Sequence, residues 1–183
     1  MSIKSFRQNV QTGVVGPYAP VCFPAAIEQL SRFSYGAEIY EAYLAYIEKS
    51  EGWTDAEHRA HVHEFEDLIE KLVKPLGGLT IDDIIFKNVT TVNGLRRAYR
   101  SLTKAGYNLV AEIACVPRDP ESHGVGIVPV QGDFVTLVST HIPKKLQGVI
   151  HIDAVGACLF PTEEKKLPGH PIHTSNVTAI PNL

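Results

Sequence analysis

The chain has 183 residues, 20% of them charged and 44% hydrophobic, with a formal net charge of -3 and a pI near 6.2. Those values fit one soluble globular domain with room for a real core. They exclude a basic nucleic-acid binder, and no cluster of Lys and Arg interleaved with aromatics appears.

Residues 1–21 lack periodicity and carry Gly13, Gly16, Pro17 and Pro20, a loop-rich approach to the first helix. The first residues have no apolar core of a secretory signal, and no run reaches the apolar length of a membrane span. Three widely spaced cysteines read as reduced thiols rather than a disulfide framework. The expected location is cytoplasmic, or exported by a route that needs no cleaved N-terminal signal.

Helix one is expected over about Cys22–Ser34. Pro24 suits a first turn, where its missing N–H has no partner to lose. Ala25, Ala26, Ile27, Leu30 and Phe33 recur at helical spacing. Cys22 therefore heads a buried helix, where unpaired N–H groups and the dipole favour an anion. A thiol so placed ionises more easily and becomes a better nucleophile. The plain alternative is an inert buried cysteine.

Helix two is expected over Glu38–Ser50, with Ile39, Tyr43, Tyr46 and Ile47 on one face. Thr54-Asp55-Ala56-Glu57 is a capping box that opens a long helix ending near Lys74–Gly78. Its buried stripe is expected to be Val62, Phe65, Leu68, Ile69, Leu72 and Val73. Thr80–Asp83 repeats the cap pattern ahead of a short helix. Asn93 is read as the cap of a helix over Gly94–Lys104 that stops at Gly106. After Gly106 the period changes. Strands are expected at Tyr107–Cys115, His123–Val130, Phe134–Ser139 and Gly148–Ala154, with a tight turn at Gln131-Gly132-Asp133. The tail after Phe160 holds four prolines and reads as irregular. Helices first and strands second imply an α+β fold with an antiparallel sheet. The expected organisation is one domain over 1–183. Its helical part covers about 22–105, its sheet part about 106–160 and its irregular tail 161–183. No internal repeat or low-complexity segment is present.

This order resembles the papain-like cysteine peptidases, whose nucleophilic Cys heads the first helix and whose His lies on the sheet that follows. The closest layout is that of the bacterial peptidases that remove double-glycine leaders, and of their stand-alone relatives. Cys22-Phe23-Pro24-Ala25-Ala26 matches their Cys-Gly-Pro-Ala-Ala. Leu102–Glu112 matches their helix ending in Gly followed by a strand. Ser122-His123-Gly124-Val125-Gly126-Ile127-Val128 matches the strand that their His opens, and Gly132-Asp133 the turn after it. The resemblance covers about residues 8–140. It implies a papain-like fold and amide-bond hydrolysis with Cys22 as nucleophile and His123 as base. The family's oxyanion Gln lies about six residues before the Cys. Here Gln8 and Gln11 lie further back, and Gln11 is the choice. The family's Asp or Asn that orients the imidazole falls at Ser139-Thr140-His141, which has no carboxylate. Asp153 is the nearest acidic substitute, with Ser139 or Thr140 behind it.

The chemistry needs these types. A thiolate attacks the carbonyl carbon, and an imidazole keeps it ionised and then protonates the leaving amine. A third group fixes the tautomer, and a side-chain amide with the Cys22 N–H stabilises the oxyanion. The implied partner is a peptide or protein amide, cleaved as by a peptidase, amidase or deamidase. No cofactor or metal is expected, and the oligomeric state is left open. The alternatives are a non-catalytic binding module on the same fold, or an acyltransferase using the same Cys–His pair. His58, His61 and His63 lie on the long helix with Glu57, Glu64 and Asp67, and His61 is one turn from both His58 and Glu57, yet no established metal spacing such as His-Glu-x-x-His occurs, and a solvated face is expected. Cys115, Cys158, His151, His170 and His173 are lesser candidates.

Overall fold

A computed structural model of the chain describes residues 6, 22–114, 122–139, 142, 144–159 and 175–182. It is α+β, with helices and an antiparallel sheet. The chain divides into two compact units at Asp83/Ile84.

In the first unit, α1 (Cys22–Ser31) buries Pro24, Ala25, Ala26, Ile27 and Glu28. It stops earlier than the sequence suggests because Arg32 takes a left-handed φ of 57°, which no helix accommodates. Ser31 Oγ closes the last turn by donating to Ile27 O at 2.7 Å. Phe33, expected on the helix face, lies beyond the helix and is exposed. α2 (Ala37–Ser50) turns Tyr40 and Tyr43 into the core. α3 (Asp55–Ala60) begins at the capping box: Thr54 Oγ1 accepts from Glu57 N at 3.3 Å, and Thr54 N donates to Glu57 Oε2 at 2.7 Å.

The expected long helix is two helices, because His61 (φ -109°, ψ 23°) separates α3 from α4 (Val62–Val73). The His61 ring stacks on Trp53, with centroids 4.7 Å apart, and its Nδ1 lies 2.9 Å from Glu64 Oε1. The break rotates the second half. Leu68, Ile69, Leu72 and Val73 are buried as expected, whereas Val62 and Phe65 are exposed. The short helix expected after Thr80 is a single turn of 3₁₀ helix over Ile81–Asp83, with Thr80 N donating to Asp83 Oδ2 at 2.8 Å.

The second unit is a six-stranded antiparallel sheet under two helices. Its elements are β1 (Ile85–Val89), α5 (Val92–Lys104), β2 (Tyr107–Ala114), β3 (Ser122–Gln131), β4 (Phe134–Val138), β5 (Val149–His151), α6 (Ile152–Leu159) and β6 (Ser175–Pro181). The spatial order is β1-β6-β2-β3-β4-β5. Thr91, not Asn93, caps α5: its backbone is extended, and its Oγ1 accepts from Gly94 N at 2.9 Å. α5 belongs with the sheet rather than with the preceding helices. It buries Leu95, Ala98, Tyr99 and Leu102 at helical spacing and ends ahead of Gly106, whose φ of 87° suits only glycine well.

Alternation along the strands decides the core. Leu109 and Ala111, Val125 and Ile127, Val135 and Leu137, and Val177 and Ala179 share one face and meet α5 and α6 there. Gly132 (φ 57°) and Asp133 form the two-residue turn between β3 and β4. Two strands were not expected: β1, read as part of a helical region, and β6, drawn from the tail. The expected fourth strand is cut short. It keeps Val149–His151 and then winds directly into α6.

Candidate active site

Cys22 is the first residue of α1 and half-buried, and its thiol forms no disulfide. Ala25 and Ala26 are fully buried, so packing fixes the start of this helix. No acidic residue lies in its first turn, so no carboxylate of that turn opposes a thiolate. The positive end of the helix dipole at the first turn favours one.

His123 is the second residue of β3 and pairs across the sheet with Ile113. Its side chain lies outside the described residues, as do Gln8, Gln11, Cys115, Thr140, His141, His170 and His173 and the side chain of Cys158. β3 and β4 run in register from Gly126↔Val138, and Ser139 Oγ donates to the carbonyl of Gly124 at 3.1 Å. Ser139 therefore sits against the residue next to His123.

Asp153 is elsewhere. It is not on a strand but is the second residue of α6. β5 meets β4 at Phe134↔His151, and Phe134 pairs with Gln131, the last residue of β3. Eight residues of strand separate Gln131 from His123, roughly 25 Å at the usual rise. The register thus puts Asp153 and His123 at opposite ends of β3, and the structure does not bring them together. The Asp153 carboxylate accepts from both Nε and Nη2 of Arg96, the first at 2.8 Å. Those hydrogen bonds hold it below the usual carboxylate range, with the nearby Arg96 charge adding to the effect.

The residues around Asp153 form a cluster that motif reading missed. Arg100 holds the Asp133 carboxylate as Arg96 holds that of Asp153, and Asp133 is likewise lowered. Between the two carboxylates lies His151. Its Nδ1 accepts from Asp153 N at 3.2 Å, and its Nε2 is 3.8 Å from Asp133 Oδ2. The cluster is a clasp. Ile152 N donates to Asp133 O at 2.8 Å and Tyr99 Oη to Gly132 O at 3.1 Å, tying α5, the β3–β4 turn and the β5–α6 junction together. The signal for it was the Arg96/Arg100 pair at i, i+4, one helical turn apart.

Among the described residues, no group of three or more His, Cys, Asp or Glu side chains is arranged to hold a metal ion. No helix among them is long and apolar enough to cross a membrane. No family model matches the chain, and no curated protein or solved structure matches it.

Proposed function

We propose that this chain is a papain-like cysteine hydrolase that cleaves an amide bond in a peptide or protein, with Cys22 as nucleophile and His123 as its base. The observation that carries the reading is the position of Cys22, first in a ten-residue helix whose opening turns are buried. A helix start held by packing keeps its N–H groups aligned, which favours the thiolate form. The β2–β3–β4 meander and the turn at Gly132-Asp133 support it by matching the order of the leader-peptidase layout. In this reading the Cys22 thiolate attacks the carbonyl carbon, and the Cys22 N–H and the amide of Gln11 receive the oxyanion. His123 protonates the departing amine, and water then releases the acyl group.

A second reading is a binding module on the same fold. What favours it is the third group: Ser139 stands where the family has Asp or Asn, and Asp153 is tied to Arg96.

Thiol reactivity separates the two. Iodoacetamide at pH 7, followed by peptide mapping, should label Cys22 at least about tenfold faster than Cys115 or Cys158. Cys22→Ala should lower amide cleavage by a factor on the order of 10⁴. Three thiols labelled at one slow rate would overturn the hydrolase reading.

A further inference from the structure

Glu28 lies on α1, six residues past Cys22, and its side chain is almost completely buried at 2% exposure. A buried carboxylate is costly unless its oxygens are hydrogen-bonded. Oε1 of Glu28 accepts two backbone N–H groups, that of Tyr35 at 2.9 Å and that of Phe6 at 3.2 Å. Tyr35 lies just beyond the end of α1 at Ser31. Phe6 does not: it belongs to the chain that precedes Cys22. Its ring is fully buried in a box of tyrosines, with centroids 5.1 Å from Tyr40, 5.4 Å from Tyr43 and 5.7 Å from Tyr35. The hydroxyl of Tyr35 donates to the carbonyl of Leu72, which fixes one wall of the box on α4. An apolar side chain at position 28 would fill the same volume. A carboxylate does something more specific, because it selects where the backbone of residue 6 sits.

We infer that Phe6 and Glu28 are an anchor that clamps the N-terminal chain to the helix bearing Cys22, which makes both of them positioning residues for that thiol. The inference rests on the reading of Cys22 as an activated nucleophile. Covalent connection fixes the chain to α1 at residue 22, and the anchor fixes it to the same helix a second time at residue 28. Glu28 ties α1 to Phe6 and Tyr35, and a helix held less firmly there frays more readily at its end. A frayed first turn loses the aligned N–H groups that stabilise a thiolate.

The test compares wild type with Phe6→Ala, Glu28→Ala, Phe6→Leu and Glu28→Gln in two measurements. The first is tryptic cleavage after Arg7, next to the buried Phe6. The second is iodoacetamide labelling of each cysteine across pH 6–9. The two alanine variants should be cut after Arg7 at least tenfold faster. Their Cys22 should label several-fold more slowly at pH 7, with its rate–pH profile moved upward and Cys115 and Cys158 unchanged. The Leu and Gln variants, which keep an apolar ring-site filler and an acceptor oxygen respectively, should stay near wild type. Mere loss of folding is distinguished by Cys115 and Cys158, whose labelling rates and pH profiles it would change along with that of Cys22. Unchanged cleavage after Arg7, unchanged Cys22 labelling, or parallel acceleration of all three thiols in the alanine variants overturns the inference. A wild-type Cys22 that labels no faster than the other two sinks the hydrolase reading instead, and cleavage after Arg7 then decides the clamp on its own.

Discussion

Replacing Asp153 by alanine tests the placement of the site. Had Asp153 oriented His123, its loss would cost on the order of 10⁴ in turnover. With the two groups roughly 25 Å apart along β3, the remaining influence is a Coulomb term through water of about 0.2 kcal/mol. That changes a rate by less than about 1.5-fold. The effect should appear in stability instead. Asp153→Ala leaves Arg96 without its carboxylate and removes the one acidic residue in the first turn of α6. The urea midpoint of the sheet unit should fall. The pH dependence has a defined sign. Because Arg96 holds the folded-state carboxyl below its unfolded value, the stabilisation is present above the ordinary aspartate range near 3.9. It is lost as pH falls through the lower folded value. The gap between wild type and Asp153→Ala should therefore be steady from about pH 5 to 7 and narrow as pH falls below the ordinary aspartate value. The assay pairs amide turnover and Cys22 labelling with urea melts of the same preparations. A tenfold drop in turnover or labelling with an unchanged melt would refute the register argument and return Asp153 to the site.

Thr91→Ala should cost about 1 kcal/mol in urea unfolding, because it removes the cap on Gly94 N, whereas Asn93→Ala should stay within about 0.5 kcal/mol. Equal losses at the two positions would show that the cap lies where the sequence suggests. Gly156→Val should lower the free energy of unfolding by about 1–3 kcal/mol. A Cβ at that position would already meet Val92 at 3.1 Å to Cγ1 and 3.2 Å to Cα, where α6 crosses the start of α5. A neutral result would mean that the helices can separate freely.

What the sequence reveals depends on how local the cause is. The Thr54 box and the Pro24 first turn are decided within four residues, and both are legible. Thr91 and Asn93 are both good caps two positions apart, and only the extended backbone at Thr91 chooses between them. The break at His61 carries no Gly or Pro to announce it. It is set by Trp53 and Glu64, which are eight residues before it and three after. β1 hides because its central residues Phe86, Lys87 and Asn88 are all exposed, so no alternation shows. The β5–α6 junction hides because His151 and Asp153 alternate like a strand, while Ile152 and Val155 already keep helical time. The choice of Asp153 failed for a different reason. The succession of strands β2 to β5 along the chain is legible, but succession does not say which end of a strand a residue faces, and register does. Ser139, the second choice, lies beside Gly124 because β4 runs back along β3 towards His123.

The position of β6 has a consequence for how the second unit assembles. Tyr107 pairs with Pro181, and Ile85 with Ala179, so both neighbours of β6 must wait for a segment far along the chain. Sheets closed by such distant pairings form slowly. Until β6 docks, β1 has no strand beside it among the described elements, and β2 offers one side of its ladder to any extended chain that arrives first. A protein cut short before Ser175 would stay in that condition. Its β2 would be a long apolar template for strands of other molecules, a self-association hazard that the complete sheet removes by placing this strand in its interior rather than at a margin.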